Sequence, residues 1–432
     1  MSWDWVHQPN WASTVEHNFS YKTNIFRSGS GAETRVSCRE KPRAEFKEAI
    51  SIWGPKLRSL RSKMASSHGE PVFKIDFSDK REIAAPQGLE VSFGFSENPL
   101  WLFSTARVGI FTSGGWNHAT VTSFFDGVVT LDAPLVFGGK SYVAPVRVCF
   151  AAEETTISML TSTVADFSVV FEEDPTTFVL PTGAEDRNVE VVYHNQSVFP
   201  FVPNFRDSWD ETYARPTKKF DAGWGRVARA LTYDAPDLAV EFTALARTRA
   251  AGMDMINFFH RRKGRWRSFY LPSYTEDFTF STPAAAGDRE VWVRADEGAM
   301  ALRYSMHRNI SLRVPEGLFL TEIDIAEVQG DSVRLLLHRP LPRAFGVGDH
   351  GSWLYQVRFA SDQLAVVWET EAVCQFKVGF QVLPESFYEL TINGMRVTLD
   401  DSFATVSPPE RGDIFPISAK NDRIMISGDY VE

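Results

Sequence analysis

Residues 164–178 read VADFSVVFEEDPTTF, and residues 373–387 read VCQFKVGFQVLPESF. Val164, Phe167, Val169, Phe171, Pro175 and Phe178 meet Val373, Phe376, Val378, Phe380, Pro384 and Phe387 at one offset, 373 − 164 = 209. Phe167, Val169 and Phe171 are spaced two apart, as are Phe376, Val378 and Phe380, and this period predicts a strand with one buried face. One strand written twice raises the question of an internal repeat.

The correspondence continues upstream. Pro9-Asn10-Trp11 recurs as Pro203-Asn204-Phe205, an offset of 203 − 9 = 194, and there Phe26 meets Phe220, Gly31 meets Gly225, Arg35 meets Arg229 and Pro42 meets Pro236. Gly69 meets Gly264 at 264 − 69 = 195. The drift from 194 to 209 places insertions in the middle of the second copy, so two related halves are expected.

Both halves share a grammar. A small-residue turn precedes a strand, around 43–52 and 237–243. A helical stretch follows, GPKLRSLRSKMASSHG in one half and TALARTRAAGMDMINFFHRRKG in the other. Ala246, Ala250, Met253, Ile256 and Phe259 fall near one helical face, and Gly264 suits a C-cap after Arg261, Arg262 and Lys263. A strand leads away (PVFKIDF, SFYLPSY), followed by short strands and Gly-rich turns such as GLEVSFGF, GVVTLDAPL, DREVWVRA and DSVRLLLHRPL. Such spacing predicts a small barrel or sandwich.

The expected fold class is therefore mainly β: a tandem duplication of a β-sandwich with one helix, each copy carrying an inserted small β-barrel. The first module would span 1–198 with its barrel at about 80–145, and the second 199–390 with its barrel at about 275–355. A C-terminal β extension, 391–432, carries a hairpin signal at Asn393-Gly394.

The small-residue loop Ser28-Gly29-Ser30-Gly31 invites a phosphate-cradle reading. It lacks the Gly-Lys-Ser/Thr ending of a P-loop, and its counterpart places Trp224 where a phosphate would lie. A turn is expected.

The composition, 44% hydrophobic and 23% charged over 432 residues, is that of a globular protein. Thirty-four Phe, 12 Trp and 11 Tyr favour strands. A formal charge of −10 argues against a dedicated nucleic-acid binder, which needs a Lys/Arg excess. No run is long and apolar enough for a membrane span, and MSWDWVHQPNW lacks the features of a secretory signal. Cys38, Cys149 and Cys374 are too scattered for a disulfide framework or a four-Cys metal site, so reduced thiols in a cytoplasmic protein are expected.

Catalytic signatures are lacking: there is no His-Glu-x-x-His, no close His/Cys pair and no Gly-x-Ser-x-Gly. Glu172-Glu173-Asp174 reads as a solvated strand edge. Arg261, Arg262, Lys263, Arg265 and Arg267 around Trp266 read as a helix end and a packing strand rather than a nucleic-acid site. No catalytic residue, cofactor or metal is expected.

TRVSCREKPRAEF resembles the Arg-x-x-x-Arg-x-x-Pro-Arg segment of distal-tail-type proteins of long-tailed bacteriophages, on Arg35, Arg39, Pro42 and Arg43. Arg229 and Pro236 hold the corresponding places in the second half. FFHRRKGRWRSFYLPSY is similar to their Phe-x-x-Arg-x-Gly-x-x-x-x-Phe-x-Leu-Pro signature, on Phe258, Arg261 or Arg262, Gly264, Phe269, Leu271 and Pro272. SYVAPVRVCFAAEETTISMLTSTVADFSVVFEE resembles the strand–turn–strand that closes such domains. The first half departs where PVFKIDF replaces the Leu-Pro ending.

The resemblance implies two tail-tube-like modules in a ring-forming protein of the virion tail, assembled in the host cytoplasm. Its implied partners are copies of itself, the tail tube protein, and hub and fibre proteins. Two modules per chain favour a trimer over a hexamer. The alternative is a carbohydrate-binding or glycan-degrading tail protein, with Trp101, Trp116, Trp292 and Trp353 stacking on sugars.

Overall fold

The structure is a computed structural model. It describes residues 3–27, 33–66, 69–83, 87–92, 106–112, 115–125, 128–136, 141–152, 155–178, 191–215, 217–221, 223, 227–231, 236–298, 301, 305–315, 317–383, 390–392, 395–399, 404–407, 415–420 and 423–426. The fold is mainly β.

The first half runs through β1 (Trp3–Trp5), β2 (Val15–Ser20), β3 (Thr23–Arg27), β4 (Glu33–Ser37), β5 (Arg43–Trp53), α1 (Gly54–Ser66), β6 (Val72–Ile75) and β7 (Arg81–Ile83). It continues with β8 (Gln87–Ser92), β9 (Arg107–Thr112), β10 (Gly115–Phe125), β11 (Val128–Val136), β12 (Ser141–Ala151), β13 (Thr156–Met159) and β14 (Val164–Glu173). After the short hairpin of β15 (Val192–Tyr193) and β16 (Gln196–Ser197) come β17 (Asp210–Ala214), β18 (Thr217–Phe220), β19 (Ala228–Leu231), β20 (Asp237–Ala246), α2 (Arg249–Arg262), β21 (Phe269–Pro272) and β22 (Phe278–Thr279). Then follow β23 (Glu290–Arg294), α3 (Ala295–Gly298), β24 (Asn309–Val314), β25 (Gly317–Gln329), β26 (Ser332–Leu337), β27 (His350–Phe359), β28 (Gln363–Trp368) and β29 (Cys374–Val382).

The quoted strands are β14 and β29, and each organises its half. β14 pairs with β5, β12 and β13; β5 also pairs with β2, and β12 with β6. β29 pairs with β20, β27 and β28; β20 also pairs with β17, and β27 with β21. The ladders of the two halves thus follow one order. The hairpin β3–β4 likewise has its counterpart in β18–β19. The expected period of two is present: Phe167, Val169 and Phe171 are buried on β14, and Phe376, Val378 and Phe380 on β29.

The halves are joined by a strand. β2 pairs antiparallel with β5 on one edge and with β28 on the other, Val15 opposite Trp368 and Phe19 opposite Leu364. One large, mostly antiparallel sheet network therefore runs through both halves.

Three expectations need correction. The second helix begins at Arg249, because Ala246 is still paired with Cys374 in the β20–β29 ladder. Thr248 caps it instead, its Oγ1 accepting from the Ala251 N–H at 3.2 Å. Its C-cap is Lys263 in the left-handed region, with Gly264 next at φ +66°.

The inserts, moreover, are not closed barrels. In the first, β7, β12, β9, β10, β11 and β8 pair in that order, and no ladder joins β8 back to β7 among the described residues. In the second, β22, β27, β24, β25, β26 and β23 do the same, and among the described residues the ends meet only at the isolated bridge Phe280–Val293. β22 is two residues long, and Pro283 soon after the bridge has no N–H to extend a ladder.

The C-terminal extension is a five-stranded sheet of β30 (Leu390–Ile392), β31 (Met395–Leu399), β32 (Ala404–Ser407), β33 (Phe415–Lys420) and β34 (Arg423–Ile426). β30 and β31 form the expected hairpin. Residues 28–31, Trp101, Trp224, Gly225, Pro384, Phe387 and Asn393-Gly394, with the turn expected at 28–31, lie outside the described residues; the ladders β3–β4 and β18–β19 are what the structure describes on either side of 28–32 and 224–226.

Gly252 lets α2 lie on this sheet. A Cβ there would meet Trp368 Cη2 at 2.6 Å and Cys374 Sγ at 2.7 Å, both buried. Helix propensity alone favours Gly252→Ala by about 1 kcal/mol, whereas overpacking a rigid ring costs about 1–3 kcal/mol. Urea unfolding of Gly252→Ala is expected to show a net loss of stability.

Candidate functional site

Where α2 packs on the first half, the chain buries a set of charges. They sit at core-facing positions of strands that are otherwise apolar: Glu48 between Phe46 and Ile50, and Glu173 after Phe171. Lys74 Nζ lies 3.0 Å from Glu48 Oε2, and Trp5 Nε1 donates to Glu48 Oε1 at 2.6 Å. Arg147 Nε donates to Asp76 at 3.0 Å, and its Nη1 reaches Glu173 at 3.3 Å. Arg147 also lies 4.8 Å over the Phe46 ring. Asp79 faces Arg81 at 3.5 Å and Arg249 of α2 at 3.8 Å. Four acids thus meet four bases.

Burial opposes the charge on Lys74, yet Glu48 and Asp76 raise its pKa and keep it protonated. Burial likewise opposes ionisation of Asp76, but Lys74 and Arg147 hold it well below the usual carboxylate range. Two histidines behave oppositely. Burial, reinforced by Arg147 and Arg261, lowers His260 to about 3. Burial also lowers His17 to about 3, with Arg249 and Lys74 adding to it against the pull of Asp76. Both are neutral at neutral pH.

A cavity of about 370 Å³ lies between these groups, lined among others by His17, Asp76, Asp79, Arg147, Arg249 and Asn257. Among the described residues, His17 Nε2 and Asn257 Oδ1 have no hydrogen-bond partner. A polar cavity of this size has room for water molecules that could bond such atoms.

The second half lacks this chemistry at the places its ladders put in correspondence. Leu271 opposite Tyr355 stands where Lys74 is opposite Arg147, and Val357 opposite Val382 where Cys149 is opposite Glu173. Phe242 opposite Val378 stands where Glu48 is opposite Val169. Phe199, Phe242 and Phe380 pack there with centroids 5.0–6.1 Å apart. The same ladder order therefore tolerates an apolar core at this place.

Polar staples fasten the hairpin β3–β4 to the second half. Asp362 accepts from the Thr23 N–H at 2.7 Å, from Thr23 Oγ1 at 2.9 Å and from the Arg265 N–H at 2.9 Å. Glu33 and Arg358 form a bidentate pair at 2.7 and 3.0 Å with side chains almost fully covered. Arg27 pairs with Asp237, and the Tyr21 hydroxyl meets His260 Nδ1 at 3.1 Å.

The motif positions do not form one cluster. Arg35 is half-buried on β4, Arg39 donates to Ser20 Oγ at 3.4 Å, Pro42 is buried and Arg43 opens β5 opposite Ser20. Arg229 is exposed on β19, and Pro236 precedes β20. Arg261 is half-buried, Arg262 lies 4.8 Å over the Phe258 ring, and Phe269, Leu271 and Pro272 are buried on β21. A Cβ at Gly264 would lie 2.6 Å from Asp362 Oδ1, so this glycine serves the junction.

The reading of Glu173 as solvated is wrong, because the side chain points inward in phase with Phe167 and Phe171. That phase was the available signal. Of the tryptophans, Trp353 is buried beside His307, Trp116 packs on Phe77, and Trp292 donates to Glu290.

No protein-family model matches the chain, and no curated protein matches it. Among the described residues no group of His, Cys, Asp and Glu could hold a metal ion, and no helix is long and apolar enough to cross a membrane.

Removing one member of a buried pair leaves the other uncompensated, so Lys74→Leu is expected to cost about 3–5 kcal/mol. Glu48→Leu added to it is expected to recover part of that loss in urea unfolding, following the apolar counterpart in the second half.

His17 and His260 make stability pH-dependent. Their folded pKa values lie below the unfolded value, so the unfolded chain binds more protons between about pH 6.5 and 3. Their contribution is complete above pH 6.5 and is lost as pH falls through that window. His260→Gln is expected to reduce the slope of stability against pH at pH 5 by about 1.4 kcal/mol per unit, one proton's worth.

Proposed function

We propose that this chain is a virion structural protein of a long-tailed bacteriophage. It forms a ring at the distal end of the tail, linking tail tube to hub or receptor-binding fibres and leaving a channel for DNA. The two halves are, on this reading, duplicated tube-like modules, and the protein is not an enzyme.

The observation that carries the proposal is the head-to-tail junction inside the chain. β2 of one half completes its ladder on β28 of the other, while the halves share one ladder order. Dissimilar edges that join similarly built units are the kind of contact that generates rings. Three chains then supply six modules with pseudo-sixfold symmetry, which favours a trimer over a hexamer. The net charge of −10 suits a channel wall that DNA passes without sticking. Assembly takes place in the host cytoplasm, and the tail tube, hub and fibre proteins are the partners.

Negative-stain microscopy and native mass measurement of the purified full chain test this. A ring with a central hole and three chains is expected. Six chains per ring would overturn the trimer, and a monomer at all concentrations would overturn the ring.

A further inference from the structure

The chain holds one complete module junction and two unmatched halves of another. β2 and β28 each have ladders on both edges. Their counterparts do not: β17 pairs only with β20, and β13 only with β14, among the described residues. All five residues of β17 are exposed. Beside these edges stand Phe205 at 65%, Tyr213 at 50%, Met159 at 46% and Leu160 at 61% exposure, whereas Val15, His17, Phe19, Val366 and Trp368 of the internal junction are buried.

We infer that β17 of one copy pairs antiparallel with β13 of the next, in the register of the internal β2–β28 ladder. The ladders fix that register. Glu16 faces Lys47 as Asp210 faces Glu241, an offset of 210 − 16 = 194. Ile157 faces Phe167 as Val366 faces Phe376, an offset of 366 − 157 = 209. Val15 opposite Trp368 becomes Trp209 opposite Met159, His17 opposite Val366 becomes Glu211 opposite Ile157, and Asn18 opposite Ala365 becomes Thr212 opposite Thr156.

Charge selects the same occupant, a second copy of this chain. In the internal junction α2 covers the β2 side, and His260 packs 5.0 Å from Phe19. At the 195 offset between Gly69 and Gly264, the matching face of α1 carries Arg58 and Arg61, both exposed, with exposed Lys56 and Lys63 beside them. The incoming β17 carries Glu211 at the place of His17, on the face the helix covers, with Asp210 on its other face and Asp207 just before it. A basic helix thus meets an acidic strand where the internal junction has an apolar seam, which disfavours pairing of either edge with itself. The inference deepens the ring reading and rests on it only for closure.

Full-length chain carrying Cys38→Ser, to remove the exposed thiol, tests the register. Directly opposite residues of an antiparallel pair lie within disulfide reach. Thr156→Cys/Thr212→Cys is expected to give a covalent ladder under mild oxidation. Mixing the two single variants should give dimers only, and Thr156→Cys with Asp210→Cys, out of register, should give none. Arg58→Glu/Arg61→Glu should raise the concentration for half-assembly about tenfold or more, and Glu211→Arg added to it should recover part. Rings by microscopy without in-register crosslinking would overturn the edge assignment and leave the ring reading standing. A chain that stays monomeric in sedimentation at high concentration would overturn both.

Discussion

β2 is six residues long and has a ladder on each edge, and the rest of the molecule is arranged around that fact. Its N–H and C=O groups are shared between β5 of its own half and β28 of the other, so no exposed edge remains at the junction. Val15, His17 and Phe19 point to one side because the strand period is two, and α2 lies across them. Gly252 permits the approach on Trp368, and Asp362 anchors both Thr23 and Arg265. Backbone pairing sets the register, and polar staples at β3–β4 hold the halves in one orientation.

The buried charges beside this junction are not a requirement of the ladder order. Leucine, tyrosine, valine and phenylalanine fill the corresponding places in the second half. Buried ion pairs seldom stabilise more than a well-packed apolar set, because desolvation offsets their attraction. Their physical consequence is orientation: Arg147 is held from two sides by Asp76 and Glu173, and Arg249 of α2 faces Asp79. Charges fixed in this way leave the helix few alternative seatings on the sheet.

Much of the architecture was legible along the chain. The alternation in residues 164–178 and 373–387 identifies β14 and β29, because a strand with one buried face must carry its apolar residues two apart. The offsets 194 and 209, found from a few glycines, prolines and aromatics, also relate the pairs of the β2–β5 ladder to those of β17–β20 and the pairs of β13–β14 to those of β28–β29. The start of α2 is not legible in the sequence, because Ala246 and the helix behind it share an alanine-rich composition, and only its cross-strand partner Cys374 tells strand from helix there. Barrel closure is illegible for a related reason: short strands with turns look alike whether or not the first meets the last.

The sequence alone carries the mainly β class and the presence of two longer helical stretches, because these follow from local periodicity along one chain. The tertiary structure alone decided that Glu48, Lys74, Asp76 and Glu173 are buried together around a partly covered Arg147, and that, among the described residues, β2 has two partners while β17 and β13 have one each. Those facts depend on which distant segments touch. Ion pairing needs side chains from four strands in one place, and the state of a strand edge depends on a neighbour hundreds of residues away, so neither leaves a local trace in the sequence.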